Sequence, residues 1–113
     1  MHEYSVVQAL LEQVEALASE NKATAVTKVI VKIGIMSGVE PHLLEVAFET
    51  FKEKSICEQA HFVMNIQALT LKCQKCHTTN EMQTISYACP SCESLDVEVI
   101  DGEDMYLMSL EMQ

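Results

Sequence analysis

Apolar residues near the start of the chain recur at helical spacing. The i, i+3, i+4, i+7 pattern is carried by Val7, Leu10, Leu11, Val14, Leu17 and Ala18. Ser5 and Gln8 have the spacing of a capping box, so we predict an amphipathic helix from Ser5 to Asn21. Pro41 suits the first turn of a second helix, which is predicted to end near Lys54. Its apolar stripe comprises Leu44, Ala47, Phe48 and Phe51.

Other stretches alternate between apolar and polar residues and are rich in β-branched side chains. Residues 26–35 and 60–71 have this pattern, and the second stretch runs directly into Cys73. Two further short runs, 95–100 and 105–112, are separated by a turn signal. The order of elements predicts an α+β fold in which two helices pack on one face of a small, about three-stranded β-sheet.

The segment between the second and third predicted strands is polar and lacks apolar periodicity. It contains two C-x-x-C pairs, Cys73/Cys76 and Cys89/Cys92, separated by twelve residues. Four soft thiolates match the tetrahedral preference of Zn²⁺, and a closed site of this kind is structural because no coordination position stays open. Redox thiols or another metal are the alternatives. We therefore predict a zinc-ribbon-like subdomain at 72–93, inserted into an α/β domain formed by 1–71 plus 94–113.

Two residues near this pattern allow different interpretations. His77 directly follows Cys76, and its imidazole is either without a role at the site or a replacement ligand that displaces a thiolate as pH falls. Cys57 has no metal-spaced partner, so we expect it to be a small, buried or half-buried apolar residue rather than a ligand.

Composition narrows the classes of partner. The chain has seven Lys, no Arg and 17 Asp and Glu, for a net charge of -10, and only 5% aromatic residues. Nucleic-acid binding depends on clustered basic residues, so we expect none here. The longest apolar run, 29–36, is too short to cross a bilayer, and the chain starts without the basic and apolar regions of a signal peptide. We expect a cytoplasmic protein without membrane association.

The first residues offer a second kind of metal site. A histidine at position two supplies the Met1 amine, its own amide nitrogen and its imidazole Nδ1 in fused chelate rings. Ni²⁺ and Cu²⁺ favour such tetragonal nitrogen sites. The Glu3 amide or a ligand from a partner would complete the square. The alternative is a frayed terminus in which His2 has no role.

Taken together, the motifs resemble those of the HypA family of hydrogenase nickel-insertion proteins. They are the opening Met1-His2-Glu3, Ile33-Gly34 with the helix that follows, the two C-x-x-C pairs, and Gly102-x-x-Met105 leading to Ser109-Leu110-Glu111. The resemblance implies a non-enzymatic nickel metallochaperone. It would work with the GTPase HypB to load Ni²⁺ into the large subunit of nickel–iron hydrogenase, and in some organisms it would also serve urease maturation with urease accessory proteins.

The resemblance also implies which residues bind each metal. Nickel, the transferred cargo, would be bound by Met1 through its amine, His2 through its amide and imidazole, and Glu3 through its amide. Structural zinc would be bound by Cys73, Cys76, Cys89 and Cys92. The rival hypothesis is a zinc-ribbon interaction module that carries no transferable nickel.

Overall fold

The computed structural model describes residues 2–113, and within them the chain forms two helices and six strands. In chain order these are α1 (His2–Glu20), β1 (Val26–Gly34), α2 (Pro41–Phe51), β2 (His61–Gln67), β3 (Thr70–Cys73), β4 (Thr79–Glu81), β5 (Val97–Asp101) and β6 (Met105–Met112). The predicted α+β class is confirmed, but the strands form two small sheets rather than one.

Both helices have the predicted apolar stripes but different ends. α1 begins at His2, so Ser5 lies within the helix and does not cap it. The cap of α2 is Glu40, whose side chain accepts a hydrogen bond from the Leu43 N–H at 2.7 Å. α2 ends at Phe51, short of the predicted Lys54, because Lys54 adopts a left-handed conformation (φ 62°) that a helix cannot continue through.

The first sheet has the order β2-β1-β6. Hydrogen bonds near both ends of β1 show that β2 runs parallel to it: the Val26 N–H donates to Ile56 O, and the Ile35 N–H donates to Gln67 O. β6 runs antiparallel to β1. The Gly34 N–H, at the end of β1, donates to Asp104 O, and the Thr24 N–H, just before β1, donates to Gln113 O. α2 therefore forms the crossover between two parallel strands.

An apolar core supports this sheet and the two helices. Alternate residues of β1 are buried, and Phe48 of α2 stacks on Phe62 of β2 with ring centroids 4.2 Å apart. Tyr4 and Phe51 make an edge-to-face contact at 5.4 Å between the helices. The fully buried side chains of this core include Val7, Val14, Val29, Val31, Leu44, Phe48 and Cys57.

The second sheet has the order β4-β3-β5, and both pairings are antiparallel. It arises because the predicted strand 60–71 divides at Ala68-Leu69, so that β2 and β3 belong to different sheets. β4 was not predicted from the sequence. A small apolar cluster of Leu69, Leu71 and Met82 lies in this part of the chain. Met82 belongs to the polar segment between the two C-x-x-C pairs, which therefore contributes one residue to a core.

The chain contacts divide it into two compact units. One consists of residues up to Lys32, Val39–Asn65 and Tyr106–Gln113; the other consists of Ile33–Gly38 and Ile66–Met105. The second unit takes in more chain than the predicted subdomain 72–93, because the strands that flank the cysteines pair with one another. Among residues 2–113, no helix is long and apolar enough to cross a membrane.

Candidate metal centre and family

The second unit brings all four predicted cysteine ligands together. The Sγ atoms of Cys73, Cys76, Cys89 and Cys92 lie within 4.8 Å of one another. Cys73 and Cys92 are 3.6 Å apart at sulfur, and so are Cys76 and Cys89. Four sulfurs at about 2.3 Å from a tetrahedral Zn²⁺ are about 3.8 Å apart. The donor set therefore fits zinc in both chemistry and spacing.

The two C-x-x-C segments have nearly the same backbone geometry. In the first, the His77 N–H donates to Cys73 O at 3.0 Å, and in the second the Glu93 N–H donates to Cys89 O at 2.8 Å. His77 and Glu93 both have φ of 63°, a left-handed conformation uncommon for residues other than glycine. Each turn therefore closes sharply enough to direct two sulfurs to one side.

Backbone N–H groups surround the sulfurs. The Cys76 N–H lies 3.4 Å from Cys73 Sγ. N–H donors from Cys92 and Ser91 lower the pKa of Cys89 to about 6. The Ser94 N–H also lowers the pKa of Cys92, but the neighbouring thiols and burial outweigh it and raise that pKa to about 12. Thiolates this close repel one another, so a divalent cation is the group that allows all four to lose their protons together.

Thr78 is a site residue that sequence reasoning missed. Its Oγ1 lies 3.0 Å from Cys76 Sγ and 3.8 Å from Cys89 Sγ. Its hydrogen bond to Cys76 is also the largest of the influences that lower the pKa of Cys76. Position alone does not identify Thr78, because Ser94 lies equally far after Cys92 and its hydroxyl instead accepts from the Asp96 N–H.

Other predicted residues fall in different surroundings. His77 is exposed, and its backbone shapes the first turn. Cys57 lies in the other unit and is fully buried, as predicted. Burial, with help from the charge of Glu15, raises the pKa of Cys57 to about 11.

Only part of the predicted nickel site falls within the described residues. Met1 and the side chain of His2 lie outside the described residues. Glu3 is in the first turn of α1 and is 9% exposed, and its Oε2 accepts a hydrogen bond from the Glu40 N–H at 3.3 Å.

Comparison with known proteins identifies the family. The family profile described as "Hydrogenase/urease nickel incorporation, metallochaperone, hypA" matches residues 1–112. The chain belongs to the HypA family. The hydrogenase maturation factor HypA of Aquifex aeolicus is 50% identical over 113 residues, covering 100% of this chain and 98% of that protein. The HypA of Shewanella oneidensis is 51% identical, with 100% and 96% covered.

Solved HypA structures share the fold. The solution structure of the Ni metallochaperone HypA from Helicobacter pylori is 36% identical, with a TM-score of 0.71, and the match covers 97% of this chain and 96% of that one. A second HypA solution structure gives a TM-score of 0.76 at 36% identity, with 100% and 97% covered. The family resemblance inferred from the motifs is confirmed. The chain is a HypA-family nickel-incorporation metallochaperone of hydrogenase maturation and not an enzyme.

Proposed function

We propose that this HypA chain binds Ni²⁺ through the Met1 amine, the His2 amide and imidazole, and the Glu3 amide. The proposal rests on the match to the nickel-incorporation family over residues 1–112. This match includes the first three residues, which offer the nitrogen chelate. Late divalent metals such as Ni²⁺ favour tetragonal nitrogen donors. Such a site is open to a partner, so the ion can be transferred rather than trapped.

The helix start supports the use of backbone amides as ligands. The first four N–H groups of any α-helix have no acceptor within the helix, and α1 begins at His2. A metal that replaces the amide protons of His2 and Glu3 therefore breaks no helical hydrogen bond. The partial positive charge at a helix N-terminus also favours the deprotonated amide over the neutral one.

The four cysteines are proposed to bind structural Zn²⁺. The mutual distances of the sulfurs and the N–H groups around them support this assignment. When bound, zinc ties the two C-x-x-C turns together and leaves no position for a substrate. Its role is then to stabilise the second unit, whose apolar cluster is small.

Delivery requires partners. The 113 residues contain no G-x-x-x-x-G-K phosphate-binding motif, so GTP hydrolysis would come from a separate protein, HypB. The recipient would be the large subunit of nickel–iron hydrogenase in the cytoplasm, with urease accessory proteins as further partners where urease is a client. The excess of acidic residues gives a background that attracts cations.

Nickel titration of three chains tests the proposal. The unaltered chain, His2→Ala, and a chain extended by a few residues before Met1 are compared by isothermal calorimetry and by the absorbance of square-planar Ni²⁺. We expect one site of moderate affinity in the unaltered chain and its loss in the other two. Equal affinity in all three would contradict the N-terminal site. Zinc near one equivalent with no nickel uptake would instead favour the zinc-ribbon interaction module.

A further inference from the structure

The two C-x-x-C turns differ in the contacts that one hydroxyl side chain makes in each. Thr78 and Ser94 occupy equivalent positions, each two residues after the second cysteine of its pair. The Ser94 hydroxyl accepts a hydrogen bond from the Asp96 N–H at 3.0 Å. The Thr78 hydroxyl instead lies 3.0 Å from Cys76 Sγ. Of these two hydroxyls, that of Thr78 is the one in contact with a sulfur.

A neighbouring amide sets the direction of the Thr78 hydrogen bond. Asn80 Nδ2 donates to Thr78 Oγ1 at 3.2 Å, so the Thr78 oxygen accepts there. Its own proton is then free to point to sulfur, where a thiolate can only accept. Asn80 therefore donates to Thr78, and Thr78 donates to Cys76 Sγ, with Cys89 Sγ at 3.8 Å as a weaker second acceptor. Hydrogen bonds in such a series polarise one another.

We propose that Asn80 and Thr78 form a hydrogen-bond relay that stabilises the Cys76 and Cys89 thiolates of the zinc centre and slows their release of metal. Thr78 is thus a positioning residue for zinc, and the inference rests on the zinc site proposed above. The Thr78 hydroxyl acts on the sulfurs of Cys76 and Cys89. Without the hydroxyl, these two sulfurs would therefore be the first to release the metal.

The physical basis is the charge of the site. Four thiolates around Zn²⁺ carry a formal charge of -2, in a chain whose net charge is already -10. A hydroxyl that donates to an ionised acceptor makes a stronger bond than one between neutral groups. Donation lowers the electron density on sulfur, which reduces its attack on alkylating reagents and raises the energy of sulfur-to-metal charge transfer.

The test uses the full chain with Co²⁺ in place of Zn²⁺, so that the charge-transfer band reports on the sulfurs. Thr78→Val removes the hydroxyl and keeps the shape, and Thr78→Ser restores the hydroxyl. Thr79→Val is the matched control, because it makes the same chemical change at the next residue, exposed on β4. Zinc transfer to a chromogenic chelator and alkylation by iodoacetamide are measured on the zinc-loaded chains.

We expect Thr78→Val to shift the cobalt band to lower energy and to release zinc about 10-fold faster, the lower end of what loss of a ligand's hydrogen-bond partner costs. Thr78→Ser and Thr79→Val should behave as the unaltered chain. If Thr78→Val does not fold, Asn80→Ala serves as the test instead. This variant removes the donor that orients the Thr78 hydroxyl, so the cobalt band should shift in the same direction by a smaller amount.

Three results would overturn the relay. An unchanged cobalt band in Thr78→Val, or in Asn80→Ala where that variant decides, would show that the hydroxyl does not act on the sulfurs. An equal change in Thr79→Val would show a general loosening of the turn. An unaltered chain that takes up neither zinc nor cobalt would remove the zinc site itself, which separates failure of the proposed site from failure of the relay.

Discussion

The backbone N–H of Glu40 donates a hydrogen bond to Oε2 of Glu3 at 3.3 Å, and this contact joins the starts of the two helices. Glu3 lies in the first turn of α1, and Glu40 is the N-cap of α2. Glu40 in turn accepts from the Leu43 N–H. Carboxylates therefore satisfy N–H groups at the start of α2, where the helix dipole favours negative charge.

Replacing Glu3 tests this contact. Glu3→Ala leaves the Glu40 N–H without its acceptor, so we expect a loss of about 1 to 2 kcal/mol in the free energy of unfolding. Glu12→Ala, on the exposed face of α1, is the control and should change it by less than about 0.5 kcal/mol. Urea unfolding followed by circular dichroism gives both values. Similar losses in the two variants would contradict a specific role for the contact.

Two glycines of the second unit pack backbone against backbone. A Cβ on Gly34 would lie 2.3 Å from the carbonyl carbon of Gly102, and a Cβ on Gly102 would lie 2.7 Å from Ala68 O. The Met36 N–H donates to Gly102 O at 2.8 Å in the same region. The obstructing atoms belong to the backbone, so a side chain at either position requires strands to move.

We therefore expect Gly34→Ala to destabilise the protein by about 3 kcal/mol. Gly38→Ala is the matched control, because a Cβ there meets nothing within 4 Å and only its φ of 78° is unfavourable. That conformational cost is about 1 kcal/mol. Thermal unfolding of the two variants should show the larger drop in melting temperature for Gly34→Ala. The reverse order would rule out close packing as the reason for glycine at position 34.

Periodicity and metal-ligand spacing were enough to predict both helices, most of the strands and the cysteine cluster. What they missed depends on contacts distant in sequence. The start of α1 involves Glu3, which contacts Glu40 rather than a residue of its own helix. The break at Ala68-Leu69 follows from sheet partners, and the apolar pattern runs through it without interruption. Thr78 is recognised only when its hydroxyl is seen beside sulfurs of both turns.

Cys57 should make stability depend on alkaline pH. Burial raises its pKa in the folded state to about 11, above the ordinary value of 9.0. Below pH 9 the thiol is protonated in both states. Between pH 9 and 11 the unfolded chain loses this proton and the folded chain keeps it, so unfolding becomes easier as pH rises. The effect amounts to at most about 2 to 3 kcal/mol over this range.

Cys57→Ala isolates this contribution. The variant has a lower free energy of unfolding at neutral pH because the substitution creates a small cavity. Between pH 9 and 11, however, its free energy of unfolding should fall by less than that of the unaltered chain. Denaturant unfolding at several pH values measures both curves. All other titrating groups are common to the two chains, so parallel curves would show that the buried thiol is not the cause.

Removal of zinc should affect the two units differently. The four cysteines lie in the second unit, whose apolar cluster is small, whereas both helices and the larger group of buried side chains lie in the first. Metal binding to such a site is part of the folding free energy of the segment that supplies the ligands. The first unit has no ligand in the cluster, so its core does not depend on the metal directly.

Chelation of zinc from the native chain should therefore raise the amide hydrogen-exchange rates of β3, β4 and β5 by at least about 10-fold and leave those of α1 and α2 nearly unchanged. Hydrogen exchange read by mass spectrometry gives both sets of rates in one sample. Four thiols should become reactive on chelation, while Cys57 stays unreactive until the chain unfolds because it is fully buried. An equal rise in the exchange rates of the helices and the strands would mean that the whole chain unfolds without zinc. The metal would then stabilise both units rather than the second alone.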